Sequence, residues 1–457
     1  MNKKRSAFSG KIGYVLSAAG ASVGLGNIWR FPYLAAKYGG GIFLLVYIIL
    51  ALTFGYTMIV AESALGRMTR KSPVGAFRSF ANGKKVGWLS FGGWINAIIP
   101  VLIVPYYSVI GGWVVKYLFE YIRGNGSKLA EDGYFSGFIS NGGATEICFV
   151  IFCMFTLVII YAGVQNGIER VSKIMMPILI ILSVIIAIYS VTRPGAIEGV
   201  KYFLVPNVKN FSWMTVVAAM GQMFYSLSIA MGILVTFGSY MRKDTSIEDS
   251  TRNVEIFDTA IAMMAGLMII PAVFAFSGGD PDTLQAGPSL MFITIPKVFA
   301  NMGFGTAVGI LFFVLVLFAA VTSSIALTES AVSTFEDELG WGRKKATVLT
   351  GVIMIALGTL SCLGYGPLDF VKIIGMQFLD FFDFLTNSVM MPIAALMTSL
   401  LVSRVIGVDK IEEEIRHGES AFRRKKIFVV MIKYLCPIFA LIILASSVAN
   451  AFGWIAM

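Results

Sequence analysis

Seven polar side chains stand in otherwise apolar stretches where they could do chemistry: Asn27, Ser226, Ser228, Asp258 and the run Thr322, Ser323, Ser324. Their amide, hydroxyl and carboxylate oxygens are hard donors, suited to sodium rather than to soft transition metals. Serine and threonine in membrane helices commonly hydrogen-bond their own backbone, so the run at 322–324 is weak by itself. With Asn27 and Asp258 added it becomes a plausible ion cage. Other chemistry has little to work with. The single histidine, His417, lies in a charged loop, and Cys148, Cys153, Cys362 and Cys436 sit in or beside apolar segments with no CxxC pair. Free thiols, no organic cofactor and no enzymatic nucleophile are therefore expected.

Asn27 belongs to AGASVGLGNIWRFP, Ala19 to Pro32, where three glycines and a proline interrupt an apolar segment long enough to cross a bilayer. The sixth apolar segment carries a second interruption, SLSIAMG. Glycines also serve close helix packing, but matched interruptions in two halves of a chain point to an inverted-repeat carrier with broken helices one and six and a site at the membrane midplane. A break there frees carbonyls on one side and N–H groups on the other, which is costly unless something binds them.

The elements that must hold these residues follow from composition. Of the 457 residues 57% are apolar and 14% charged, which places the chain among all-α polytopic membrane proteins. β-barrel strands would be shorter and alternate in polarity, and none of the long segments does. Eleven spans are expected, at about 13–37, 41–66, 88–121, 146–164, 168–191, 213–240, 255–277, 303–335, 346–365, 373–403 and 427–454. They form one membrane domain over 1–457, with repeats at about 11–191 and 213–403 and an additional helix at about 427–454. The first segment follows a basic start but lacks a cleavage pattern, so it is read as retained. Basic residues crowd one set of loops (Arg67, Arg70, Lys71, Arg78 and Arg423 to Lys426 among them) and are sparse in the other. That asymmetry places the N-terminus in the cytoplasm and, with an odd number of spans, the C-terminus outside. The net charge of +10 is thus accounted for by orientation and anionic lipid, and no nucleic acid partner is expected.

VGLGNIWRFP, YGGGIFLLVY, PYYSVIGGW, GQMFYSLSIAMG, AAVTSSIALTES and FLDFFDF together resemble the bacterial branch of the neurotransmitter:sodium symporters, which have the LeuT fold, and the resemblance covers nearly the whole chain. It implies a sodium-coupled symporter of the bacterial cytoplasmic membrane, a monomer or weak dimer, that imports a neutral hydrophobic or aromatic L-amino acid by alternating access. It also implies two sodium ions. The first would be held by the Ser22 carbonyl, Asn27, Ser226, Asp258 and the substrate carboxylate, the second by the carbonyls of Gly20, Val23 and Ala319 with the hydroxyls of Thr322 and Ser323.

By the same resemblance the substrate would meet Ser22, Gly24, Leu25, Gly26 and Ser226 at its polar end. Its side chain would meet Ile103, Tyr107, Tyr225, Ser228, Met231, Ser323 and Leu327. Gly24 is informative, because monoamine carriers resemble one another in having aspartate there. A glycine leaves room for a substrate that brings its own carboxylate. Met231 stands where the prototype has phenylalanine, and a flexible thioether suits a bulky ring. Chloride-dependent members hold the anion with groups matching Tyr47, Gln222, Ser226 and a serine in span seven. Here span seven offers Asp258, so chloride independence is expected.

Two charged pairs look like gates: Arg30 with Asp383 on the outer path and Arg5 with Asp337 on the inner one. The plainer reading makes Arg30 a snorkelling side chain and Arg5 a topology charge. The spacing of Gly167 and Pro177 either unwinds the cytoplasmic end of span five or merely kinks it. The rival functions are a proton-coupled or sodium-independent carrier of the same fold, in which Asp258 titrates, and a non-transporting membrane sensor.

Overall fold

The structure is a computed structural model and describes residues 6–81, 87–278 and 287–454. Among these, nine helices are long and apolar enough to cross a membrane unbroken: Gly41–Thr69, Gly87–Ile122, Gly142–Tyr161, Val164–Val191, Ile247–Ser277, Gly305–Glu338, Arg343–Leu363, Phe378–Ile406 and Lys425–Ala451. The expected first and sixth spans are absent from that set because each is interrupted. Span one runs Lys11–Ser22, loses helical form around Val23 and Gly24, and resumes through a π turn, Gly26–Arg30, into Phe31–Lys37. Span six runs Trp213–Ser226 and resumes at Ile233–Tyr240.

The expected spans agree in number and order, but four starts need correction, the largest being span seven, which begins at Ile247 rather than 255. Span four is Gly142–Tyr161 rather than 146–164, because Asn141 accepts from the Ala144 N–H and caps the helix a turn earlier. Span five starts at Val164 rather than 168 and is helical through Pro177. The unwound alternative for its cytoplasmic end is therefore not the conformation seen here. Span ten begins at Phe378 rather than 373, since Ile373 and Met376 close an isolated bridge ahead of it.

Burial separates the helices by role. The strongest apolar windows of spans three and eight are 78% and 72% buried, whereas those of spans four, five and eleven are 39%, 39% and 33% buried and turn the rest outward. Spans three and eight pack on each other, and span one lies against spans seven and eight. Both halves of span six lie against span two, the first also against span eleven and the second against span eight. Helices that lie too deep to touch lipid can carry the polar groups that lipid would penalise.

One end of the molecule is closed by a strap. The connection between spans ten and eleven forms the amphipathic helix Val408–Arg416, with Ile411 and Ile415 buried. The fully buried Arg67, near the end of span two, anchors it. Its Nε lies 2.6 Å from Glu414 Oε1, its Nη1 donates to the Thr245 carbonyl at 2.6 Å, and its Nη2 donates to the Glu414 carbonyl. Glu248, at the start of span seven, then accepts from Tyr56 Oη at 2.6 Å and from the backbone N–H groups of Arg423 and Arg424. The Lys425 ammonium, 2.5 Å away, holds the Glu412 carboxyl below the usual carboxylate range.

Candidate functional site

The two helix breaks face each other and are held there by specific bonds. Ser228 Oγ donates to the Ala21 carbonyl at 2.9 Å, joining span six to span one. Ser323 Oγ of span eight donates to the same carbonyl at 3.1 Å. Ser228 and Ala230 have φ of 54° and 59°, left-handed values that L-residues rarely adopt, and Gly232 follows at 68°. A β-carbon at Gly232 would lie 2.7 Å from the Asn96 carbonyl, so only glycine fits there. The strain at Ala230 is offset by a bond from its N–H to Glu62 Oε1, 2.8 Å away on span two.

A cavity with about 30 Å³ of free space lies between the breaks. Ser22, Gly24, Leu25, Gly26, Ile103, Tyr107, Tyr225, Ser226, Ser228, Met231, Ser323 and Leu327 all line it. Its wall also includes Ala21, Asn27 and Ile233. The Leu25 N–H, released by the break, reaches only Tyr107 Oη, at a long 3.3 Å. A β-carbon at Gly24 would stand 2.6 Å from Ser323 Oγ and 3.1 Å from Tyr107 Oη. Glycine at 24 therefore keeps open a slot bounded by a weakly bonded N–H and a phenol.

Beside that slot lies a buried carboxylate without a cationic partner. Asp258 is fully buried, and among the described residues no lysine or arginine pairs with it. Its Oδ1 accepts from Ser226 Oγ at 2.7 Å and Asn27 Nδ2 at 2.8 Å, and its Oδ2 from Tyr47 Oη at 2.7 Å. Neutral donors soften the burial of a charge but do not cancel it. A monovalent cation would supply the missing charge, with oxygens of Ser226 and Asp258 within its reach. Asn27 turns its Oδ1 to the Gly24 N–H at 3.1 Å, so its amide must turn over to present that oxygen to an ion.

The residues expected to form the second cage lie close together. Ser323 Oγ lies 3.4 Å from the carbonyls of both Gly20 and Val23. Thr322 Oγ1 bonds its own backbone, at 3.0 Å to Phe318 O and 3.2 Å to Ala319 O. Thr322 also packs on Gly20, whose hypothetical β-carbon would be 3.1 Å from Thr322 Cβ. All of these donors are neutral oxygens, which fits a weakly held hard cation. Among the described residues no group of three His, Cys, Asp or Glu side chains is arranged to hold a metal.

The expected gates are only partly assembled. Arg30 and Asp383 line one outer cavity of about 380 Å³ without forming an ion pair. The Arg30 guanidinium lies over the Tyr225 ring, 5.4 Å from its centroid, while Asp383 Oδ1 accepts from Asn387 Nδ2 at 2.6 Å and Tyr106 Oη at 3.2 Å. Each charge has neutral neighbours, and Arg30 and Asp383 face the same vestibule without direct contact. Arg5 lies outside the described residues. Asp337 Oδ2 accepts from the Ser72 N–H at 2.7 Å and so ties the end of span eight to the connection after span two.

Three site residues escaped the sequence reading. Ala21 acts through its carbonyl and Ile233 through plain apolar contact, so neither carries a side-chain signal. Glu62 did carry one, as a carboxylate inside the apolar run IVAESALG.

Two broken helices around a buried cavity with cation-binding oxygens define a multi-pass membrane carrier rather than an enzyme. The comparisons agree. The profile of the sodium:neurotransmitter symporter family matches residues 5–127 and 134–453, and the chain belongs to that family. It is 36% identical to the uncharacterised sodium-dependent transporter YhdH of Bacillus subtilis over 91% of each chain. An uncharacterised sodium-dependent transporter of Haemophilus influenzae is 32% identical, over 98% of this chain and 99% of its own. Among solved structures, MhsT in complex with L-phenylalanine superposes with a TM-score of 0.86 at 36% identity, covering 97% of this chain and 100% of that one. The fold is the LeuT fold, and the protein is a sodium-coupled symporter.

Proposed function

We propose that the protein imports a neutral, large hydrophobic or aromatic L-α-amino acid together with two sodium ions, without chloride. The observation that carries this is the adjacency of the Gly24 slot, with its underbonded Leu25 N–H and Tyr107 Oη, to the unpaired Asp258 carboxylate. A substrate carboxylate in that slot would complete the first cation's shell, so that each ligand binds poorly without the other. The rest of the cavity wall is apolar or hydroxylic, which excludes charged side chains. Met231 and Leu327 can change rotamer to admit a ring into a cavity this small. MhsT, the solved relative, is titled as a complex with L-phenylalanine, which favours the same class. The Asp258 carboxylate already engages Tyr47 and Ser226, donors that would otherwise serve an anion.

The chain acts as a single membrane domain of the bacterial cytoplasmic membrane, as a monomer or weak dimer, with its N-terminus inside and its C-terminus outside. Spans 11–191 and 213–403 form the inverted repeats. Arg30 and Asp383 serve as outer gate residues that meet when the vestibule closes, and Arg5 with Asp337 as inner ones. The test is uptake of a panel of labelled amino acids into proteoliposomes in sodium against potassium, with phenethylamine as a competitor. Sodium-dependent uptake of large neutral amino acids, not displaced by the amine, is the expected result. Equal uptake in both salts, or displacement by the carboxyl-free amine, refutes it.

A further inference from the structure

Several cationic side chains at the strap end of the molecule are paired: Arg67 with Glu414, Arg78 with Glu338, Arg343 with Glu329, Arg424 with Glu255 and Lys425 with Glu412. Arg404, Lys426 and Lys433, like Lys243 and Lys345, are among those that are not. They are exposed and, among the described residues, have no carboxylate partner. The first three also share one seam. Arg404 lies in the π turn Leu401–Ile406 that ends span ten, Lys433 in the π turn Met431–Leu435 of span eleven, and these two turns pack against each other.

Lys426 precedes Lys433 by two helical turns, so both point the same way from span eleven. The same stripe continues with Val430, Tyr434, Ile438 and Leu441, which are 50%, 61%, 49% and 51% exposed. One face of span eleven is therefore cationic at its strap end and aliphatic or aromatic beyond. A cation on a lipid-facing helix is costly unless it reaches the headgroup layer and meets an anion. Two such cations on touching turns also repel each other until an anion lies between them. The pattern of charge followed by hydrocarbon along the membrane normal is that of a phospholipid.

We propose that the seam between spans ten and eleven binds one anionic phospholipid, its phosphate held between Arg404 and Lys433 and its acyl chains lying along Val430, Tyr434 and Ile438. Because Arg404 ends the helix that carries Asp383, and the strap that follows is anchored on Arg67, the lipid braces the fixed end of span ten. Lys426 sits nearer the aqueous side and contributes attraction rather than contact.

The experiment is native mass spectrometry of the purified full chain titrated with phosphatidylglycerol and, separately, phosphatidylcholine. Each basic side chain near a membrane surface contributes about fivefold in affinity, or about 1 kcal/mol. The pair of substitutions Arg404→Gln and Lys433→Gln should thus weaken phosphatidylglycerol binding about 30-fold while leaving phosphatidylcholine unchanged. Arg404→Lys with Lys433→Arg should retain it. Lys128→Gln with Lys209→Gln removes equal charge from the opposite end and should change affinity less than about twofold. Equal binding of the two lipids by the parent overturns the proposal, as does an equal loss in the Lys128 and Lys209 control. A dimer of the chain that only the seam substitutions abolish overturns it too, by assigning the seam to a second copy.

Discussion

Gly24→Ala tests the reading of the substrate slot most directly. The added methyl would stand 2.6 Å from Ser323 Oγ and 3.1 Å from Tyr107 Oη, well inside ordinary carbon–oxygen contact. Ser323 can relieve the overlap by rotating, but its hydroxyl then leaves the Ala21 carbonyl at 3.1 Å and those of Gly20 and Val23 at 3.4 Å. Losing that bond in a buried site costs about 1–2 kcal/mol, and crowding against Tyr107 adds about 1 kcal/mol. The sum, about 2–3 kcal/mol, corresponds to a loss of about 30- to 150-fold. Because Ser323 lines the cavity and also belongs to the proposed second cation cage, the loss should appear in both ligands. Scintillation proximity binding of labelled phenylalanine, titrated with amino acid at fixed sodium and with sodium at fixed amino acid, reads the two constants. A thermal unfolding scan checks that the fold survives. If both constants stay within about threefold of the parent in a protein of unchanged stability, the slot is not where the carboxylate binds.

Asp258→Asn removes the fixed charge that Tyr47 and Ser226 now engage, so uptake should become dependent on chloride and should fall when gluconate replaces it; chloride-insensitive uptake by this variant counts against the role given to Asp258. Ala230→Gly relieves a left-handed φ of 59°. It should stabilise the protein by about 0.5–1 kcal/mol, read as a rise in melting temperature. Arg67→Met leaves Glu414 buried and unpaired at the strap and should cost about 3–5 kcal/mol, whereas the double change with Glu414→Met should recover much of that loss in the same melting assay.

Span number and the two breaks were legible because apolar length and small-residue interruptions are local properties. Gly24 and Asn27 could be placed in span one by inspection, and Asp258 stood out as a charge in an apolar helix. Their juxtaposition was not local: Asn27 and Asp258 meet 231 positions apart, and only a resemblance to known motifs brought them together in advance. Glu62 shows the limit clearly. Its charge was visible, but its partner, the Ala230 N–H, exists as a free donor only because span six breaks. The starts of spans four and ten depended on a cap at Asn141 and a bridge at Ile373, features of one or two residues that apolar runs do not report. The Arg30 and Asp383 charges stood out in apolar segments, yet whether two long side chains touch is set by neighbours such as Tyr225, Asn387 and Tyr106.

The same bonds explain how sodium and substrate come to act together. The Ala21 carbonyl accepts from Ser228 on span six and Ser323 on span eight, so three spans meet at one backbone atom. Asn27 and Ser226 face both the cavity and Asp258, and Ser323 faces both the cavity and the second cage. A ligand at any of these places therefore tightens the same three helices. Its neighbours then bind to a site whose ordering has already been met, and the resulting coupling is reciprocal, so substrate must raise sodium affinity by the factor that sodium raises substrate affinity. Span two enters through Glu62, whose bond to Ala230 links the break in span six to the helix that Arg67 fixes to the strap. Rearrangement of the break thus bears on span two as well, and the strap at its far end gives that motion a fixed point to turn about.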